Sequence, residues 1–124
     1  MADLATHIGI VPMTVLASTS AISRGYRVTL ASDSTVSVSA IGVRGDFVVT
    51  NDIAASSYGA ACPMQAGAKV DAVASEAVAV GDPAYSAASG KFSKTSTNAV
   101  LVGKWVQAAS GDGVLGVVLL ETVA

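Results

Sequence analysis

Apolar and polar residues alternate over short stretches of this chain, and Gly, Ser, Thr, Asn or Asp interrupts them every several positions between residues 17 and 97. Short, Val-rich runs between turn formers are the pattern of β-strands. The strongest runs fall at 11–17, 26–31, 35–43, 47–50, 69–75, 77–80, 84–86, 91–93, 99–109 and 114–122. Ala is plentiful but is interleaved with β-branched residues rather than set at helical spacing, so no helix is expected beyond a short turn near Ile53 to Tyr58. Over 35–40, Val36, Val38 and Ala40 alternate with Thr35, Ser37 and Ser39, which predicts one buried and one wet face.

Two hairpins stand out. The run at 99–109 is apolar on both faces, with Val100, Val102 and Val106 on one and Leu101 and Trp105 on the other, so it needs cover on both sides and a central place in its sheet. Asp112-Gly113 suits a two-residue type I′ turn, which would set Lys104 opposite Glu121 and Trp105 opposite Leu120. Upstream, a four-residue loop over 87–90 would set Tyr85 opposite Phe92. These elements predict an all-β fold, a small single-domain barrel or sandwich. The first dozen residues have no companion strand nearby in sequence and read as an extended N-terminal arm, residues 1–13, preceding a β domain at 14–124.

Composition adds a constraint on partners. Lys and Arg number 7 against 9 Asp and Glu, for a net charge of −2, and the basic residues form no patch that could track phosphates, so nucleic acid is not an expected partner. Only 13% of residues are charged while 52% are hydrophobic, which leaves more apolar surface than one small core needs. No apolar run is long enough for a membrane span, and no Lys or Arg precedes Arg24 to start a secretory signal. The single Cys62 has no disulfide or zinc partner, consistent with synthesis in a reducing cytoplasm.

Candidate chemistry is sparse. His7 is the only histidine and lies in the arm, and Cys62 precedes Pro63 in an Ala-rich stretch, where it reads as a small buried hydrophobe rather than a nucleophile. Asp33, Asp46, Asp52, Asp71, Asp82 and Asp112 mostly adjoin Gly, Ser or Asn, as turn-capping carboxylates do; Asp46 and Asp52 lack the spacing of a Ca²⁺ loop. The glycine-rich stretch 111–116 is followed by no helix and no Gly-Lys-Ser/Thr, so it reads as a turn. No catalytic residue, metal site or cofactor is expected. Trp105 is a candidate for core, for subunit interface, or for a sugar-stacking platform in a small carbohydrate-binding β-sandwich.

From Gly45 onward the motifs and their order resemble the head decoration, or capsid cement, proteins of tailed bacteriophages. The resemblance rests on Gly45-Asp46-Phe47-Val48-Val49-Thr50 followed by Asn51-Asp52-Ile53-Ala54-Ala55 and Tyr58-Gly59. It continues through Ala77-Val78-Ala79-Val80-Gly81-Asp82-Pro83-Ala84-Tyr85, Gly90-Lys91-Phe92 and Val102-Gly103-Lys104-Trp105-Val106-Gln107-Ala108-Ala109, then Gly111-Asp112-Gly113 and Val117-Val118-Leu119-Leu120. It implies a β-tulip-like fold without enzymatic activity, found on the virion exterior. It also implies a homotrimer that clamps neighbouring subunits of the major capsid protein. The contact candidates are then Ile8, Ile10, Val11 and Met13 in the arm, with Trp105.

Overall fold

The structure, a computed structural model, describes residues 13–17, 20–32 and 35–121. Its first five strands are β1 (Met13–Ala17), β2 (Arg27–Ser32), β3 (Thr35–Val38), β4 (Phe47–Val49) and β5 (Tyr58–Pro63). They close into a barrel in the order β1-β3-β2-β4-β5. Closure depends on β1, which pairs antiparallel with β5 (Met13 opposite Ala61) and parallel with β3 (Ala17 opposite Val36). A ring of so few strands has space only for small or branched side chains. Val15, Ala17, Ile22, Val28, Val36, Val49, Ile53 and Ala61 supply them.

The second half contributes β6 (Lys69–Val73), β7 (Pro83–Ser86), β8 (Phe92–Ser93), β9 (Leu101–Gln107) and β10 (Leu115–Leu120), in the order β6-β10-β9-β7-β8 with antiparallel pairing throughout. The two-faced apolar pattern of β9 and β10 is satisfied by this central placement. The sheet curls until its ends approach: Ala74 and Phe92 form a parallel bridge, and Ser75 N–H donates to Phe92 O at 2.8 Å. Inside the curl lies the larger core, built on Trp105, Phe92, Val102, Val118 and Leu120. Phe92 and Trp105 meet edge to face, with centroids 6.3 Å apart and an interplanar angle of 77°.

Five details differ from the sequence-based expectation. The final hairpin has no two-residue turn: residues 108–114 connect β9 to β10, and φ is positive at Gly113 (83°) but not at Asp112, as type I′ would need. Trp105 therefore faces Val118 and Lys104 faces Leu119, with a bulge between Val117 and Val118. A second bulge, on the β7 side between Ala84 and Tyr85, shifts the alternation so that Val102 and Trp105 both enter the core. In the upstream hairpin the 3₁₀ turn Ala88–Gly90 lengthens the loop by one residue, so Ser86 faces Phe92 and Tyr85 faces Ser93.

The third difference lies in β3, which ends at Val38. Ser39 turns inward to bond Thr29 Oγ1 at 2.7 Å, leaving Ala40 exposed and Ser39 buried, the reverse of the expected faces. The fourth is β5, a strand where only a short turn at 53–58 was expected nearby; Ile53 itself bridges Ile22. The run expected at 77–80 contributes only the bridge of Val78 to Ala109.

Candidate interaction surface

Trp105 is fully buried at 0% exposure, its Nε1–H donating to Ser93 O at 3.2 Å. It is a core residue, with no ring face to offer a partner or a sugar, so its candidacy for contact is corrected to packing. Met13 is the first residue of β1, while Ile8, Ile10, Val11 and His7 lie outside the described residues. Cys62 is 7% exposed, and burial pushes its thiol up.

The described carboxylates mostly hold backbone. Asp46 Oδ2 accepts Leu30 N–H at 2.8 Å, Asp52 Oδ1 accepts Arg24 N–H at 2.9 Å, and Asp82 Oδ2 accepts Ala79 N–H at 2.8 Å. Glu76 Oε2 accepts from Lys94 N–H and Thr95 Oγ1–H, at 3.1 and 2.6 Å, tying the chain after β6 to the chain after β8. Asp112 pairs with Lys91 at 2.8 Å and Asp71 with Arg24 at 3.5 Å. Asp82 has the local turn-capping role expected from its neighbours, whereas Asp46 and Asp52 tie together segments 16 and 28 residues apart in sequence. No group of three or more His, Cys, Asp or Glu that could hold a metal occurs among the described residues, and none of the described helices is long and apolar enough to cross a membrane.

One polar residue was not anticipated. Arg27, on β2, is 0% exposed and sits between the barrel and the curled sheet. Among the described residues no carboxylate pairs with its guanidinium; its donors go to main-chain oxygens instead. Nε–H donates to Lys91 O at 3.0 Å, Nη1–H to Val43 O and, at 3.4 Å, Arg44 O, and Nη2–H to Ala87 O and, at 3.5 Å, Ala40 O. Its carbon Cζ stands 5.6 Å from the Phe92 ring centroid, within cation–π range. Burial pushes its pKa down to about 10, so it stays protonated at neutral pH. A buried cation persists when its desolvation is offset by a full set of acceptors, and the planar fork of five N–H groups is suited to collecting carbonyls from several directions. The sequence signal was a lone Arg between Tyr26 and Val28, but nothing in the local pattern shows that its face is covered.

The segment 39–46 between β3 and β4 is consequently held from within. Arg27 binds the carbonyls of Ala40, Val43 and Arg44, and Ser86 Oγ–H donates to Ile41 O. With its polar backbone turned inward, the segment turns Ile41 and Val43 outward, 39 and 42% exposed, beside Val38 at the end of β3, 40% exposed. A shallow depression of about 310 Å³ adjoins it, lined by Ile41, Ala87, Ala88, Thr95 and Thr97 among others. A larger cleft of about 470 Å³ lies at the other seam, where Arg24, Tyr26 and Asn51 approach Val73 and Leu115.

No protein-family profile matches this chain, and no curated protein matches it. A solved structure does. The N base of the head fibre gp8.5 of bacteriophage phi29 shares the fold with a TM-score of 0.72 at 17% sequence identity, over 90% of this chain and 94% of that one. The likeness thus spans both the barrel and the curled sheet.

Proposed function

We propose that this chain is a structural protein of a tailed-bacteriophage head, a decoration or cement protein. It binds the outer surface of the major capsid protein, stabilises contacts between capsid subunits, and does so as a homotrimer without enzymatic activity. The observation that carries this reading is the near full-length fold similarity to a phage head-fibre base, together with the motif order from Gly45 to Leu120. Two features of the molecule support it. The described carboxylates are engaged in holding loops and edges, and an apolar segment is fixed in an outward-facing conformation. The implied site of action is the virion exterior after synthesis in the host cytoplasm. The sugar-platform alternative loses its basis, because it rested on Trp105.

The test is reconstitution: purified chain is added to heads lacking it, and the heads are recovered by sedimentation and imaged. Saturable density on the outer shell, with the chain detected in virions by mass spectrometry, is the expected result. Failure to co-sediment, with absence from virions, would overturn the assignment.

A further inference from the structure

We propose, resting on the self-association in the preceding reading, that copies of this chain join head to tail by repeating the contact that already joins the two halves of one copy. The two halves are built alike. Followed around from its first strand, the barrel runs β1-β5-β4-β2-β3 and the curled sheet β6-β10-β9-β7-β8, each with its first strand beside its last. The registers agree as well. Val15 opposite Gly59 answers to Ala72 opposite Gly116, and Val49 opposite Ala61 to Trp105 opposite Val118. Arg27 opposite Val48 answers to Pro83 opposite Lys104, and Thr29 opposite Ser37 to Tyr85 opposite Ser93. The parallel closure of Ala17 on Val36 returns as the bridge of Ala74 to Phe92, and the bridge of Ile22 to Ile53 as that of Val78 to Ala109. Such agreement marks two versions of one structural unit whose side chains have diverged. In a chain of repeated units each offers one face to the unit before it and another to the unit after it.

Inside the chain the two units meet through unlike faces. The first offers the turn into β2: Gly25 O accepts Val73 N–H at 3.0 Å, Arg24 pairs with Asp71, and a Cβ on Gly25 would lie 2.7 Å from Leu115 Cδ2. The second offers the end of β6 and the start of β10. One face of each kind is therefore left over. On the first unit, Tyr58 and Thr14 stand where Leu115 and Asp71 stand on the second; on the second, Val80 and Gly81 stand where Arg24 and Gly25 stand on the first. Both leftover faces are open. Tyr58 and Val80 are the two most exposed large apolar residues among those described, at 69 and 68%. Leu30, third at 50%, answers to Ser86, which is buried at the internal junction with its hydroxyl on Ile41 O. Gly81 has the left-handed φ of Gly25, 95° against 91°, with nothing within 4 Å of its Cβ position where Gly25 meets Leu115. A surface like that of Gly25 is fitted by one like that of Leu115, and the chain carries such a face, unused, around Tyr58. The occupant is thus a second copy, its Tyr58 face on the Val80 face of its neighbour, in a heterologous contact.

Position-specific cross-linking of the full chain gives the test. A Tyr58→Cys chain mixed with a Val80→Cys chain and treated with a short bis-maleimide should give a linked pair containing one of each, while either chain alone should give none. Tyr58→Asp and Val80→Asp should each weaken self-association in sedimentation by at least about tenfold with an unchanged thermal melt, because the contact would bury an unpaired charge. Val43→Asp, at an exposed position outside both faces, should leave association as it is. Thr14→Asp combined with Val80→Arg places across the contact the pair that Arg24 and Asp71 form inside the chain, and should associate more tightly than Thr14→Asp combined with Val80→Asp. Links within a single-cysteine population but none in the mixture, wild type that stays monomeric at high concentration, or face variants that associate like wild type would overturn the proposal. The head assignment fails separately: a chain that links position 58 to position 80 but never binds heads leaves the contact standing, and one whose face variants associate and decorate like wild type loses the contact and keeps the head reading.

Discussion

At the scale of single residues, Arg27 determines how the two halves of the molecule are joined. Replacing it with Met would leave five carbonyl oxygens facing an apolar side chain; Ala40 O and Lys91 O keep the N–H groups of Val43 and Ala87, while the oxygens of Val43, Arg44 and Ala87 lose the guanidinium donor, and each buried unsatisfied acceptor costs about 1–3 kcal/mol. Arg27→Met should therefore lower stability by at least about 3 kcal/mol in urea titration, and Arg27→Lys should recover only part, since an ammonium cannot fan out over acceptors so far apart. The pH dependence follows from the sign of the shift. Burial lowers the folded-state value from the ordinary guanidinium range to about 10, so below about pH 9 both folded and unfolded chains carry the proton and Arg27 adds no slope. Only from about pH 10 up to the ordinary guanidinium range does the unfolded chain bind the extra proton, and there this group's contribution rises with pH. The Arg27→Met penalty should accordingly be equal at pH 6 and pH 9. Cys62 gives a second measurement: the thiolate is the reactive form and burial disfavours it, so alkylation should be slow in buffer and fast in denaturant. Rapid labelling of the native chain would contradict the buried placement.

At the scale of elements, β9 carries the tightest constraint. A Cβ added at Gly103 would lie 2.0 Å from the carbonyl oxygen of Leu119 on β10, so Gly103→Ala must separate the central pair and should cost more than about 2 kcal/mol. Gly111→Ala, in the connecting loop with nothing within 4 Å, should be neutral within about 0.5 kcal/mol in the same denaturation assay. Trp105→Ala should cost about 3–5 kcal/mol by opening the larger core. Strand existence was legible in the Val-bearing runs that became β2, β4, β6, β9 and β10, although the Val-bearing run at 77–80 forms only a bridge. β5 was not, because Tyr58-Gly59-Ala60-Ala61-Cys62-Pro63 has no β-branched residue and is made a strand by its neighbours β1 and β4. Register was less legible than existence. The bulges beside Val102 and between Val117 and Val118, and the 3₁₀ turn after Ala87, each shift pairing by a residue, and no local pattern encodes them. The outward apolar segment was missed for a related reason: Val38 and Ala40 fit a strand's alternation, and only the inward turn of Ser39 breaks it.

At the scale of the whole molecule, the described chain joins two rolled sheets across a polar seam. β1 begins at Met13, so a chain without residues 1–12 retains all ten described strands; it should keep its melting temperature within a few degrees while binding heads more weakly. Equal decoration by both forms would remove any role for that segment in attachment. The seam also bears on how such a protein can change over generations. All of its acceptors are main-chain oxygens, which any residue type supplies; its donor alone is encoded by a side chain. Two codons, those of Arg27 and Ser86, thus supply the side chains that line segment 39–46 from within, while the exposed positions 40, 41 and 43 lend it no side-chain hydrogen bond. In a library selected only for folded chains, position 27 should stay Arg and those three should diversify freely. The surface can follow a drifting partner, mutation by mutation, without reopening the problem of how the chain folds.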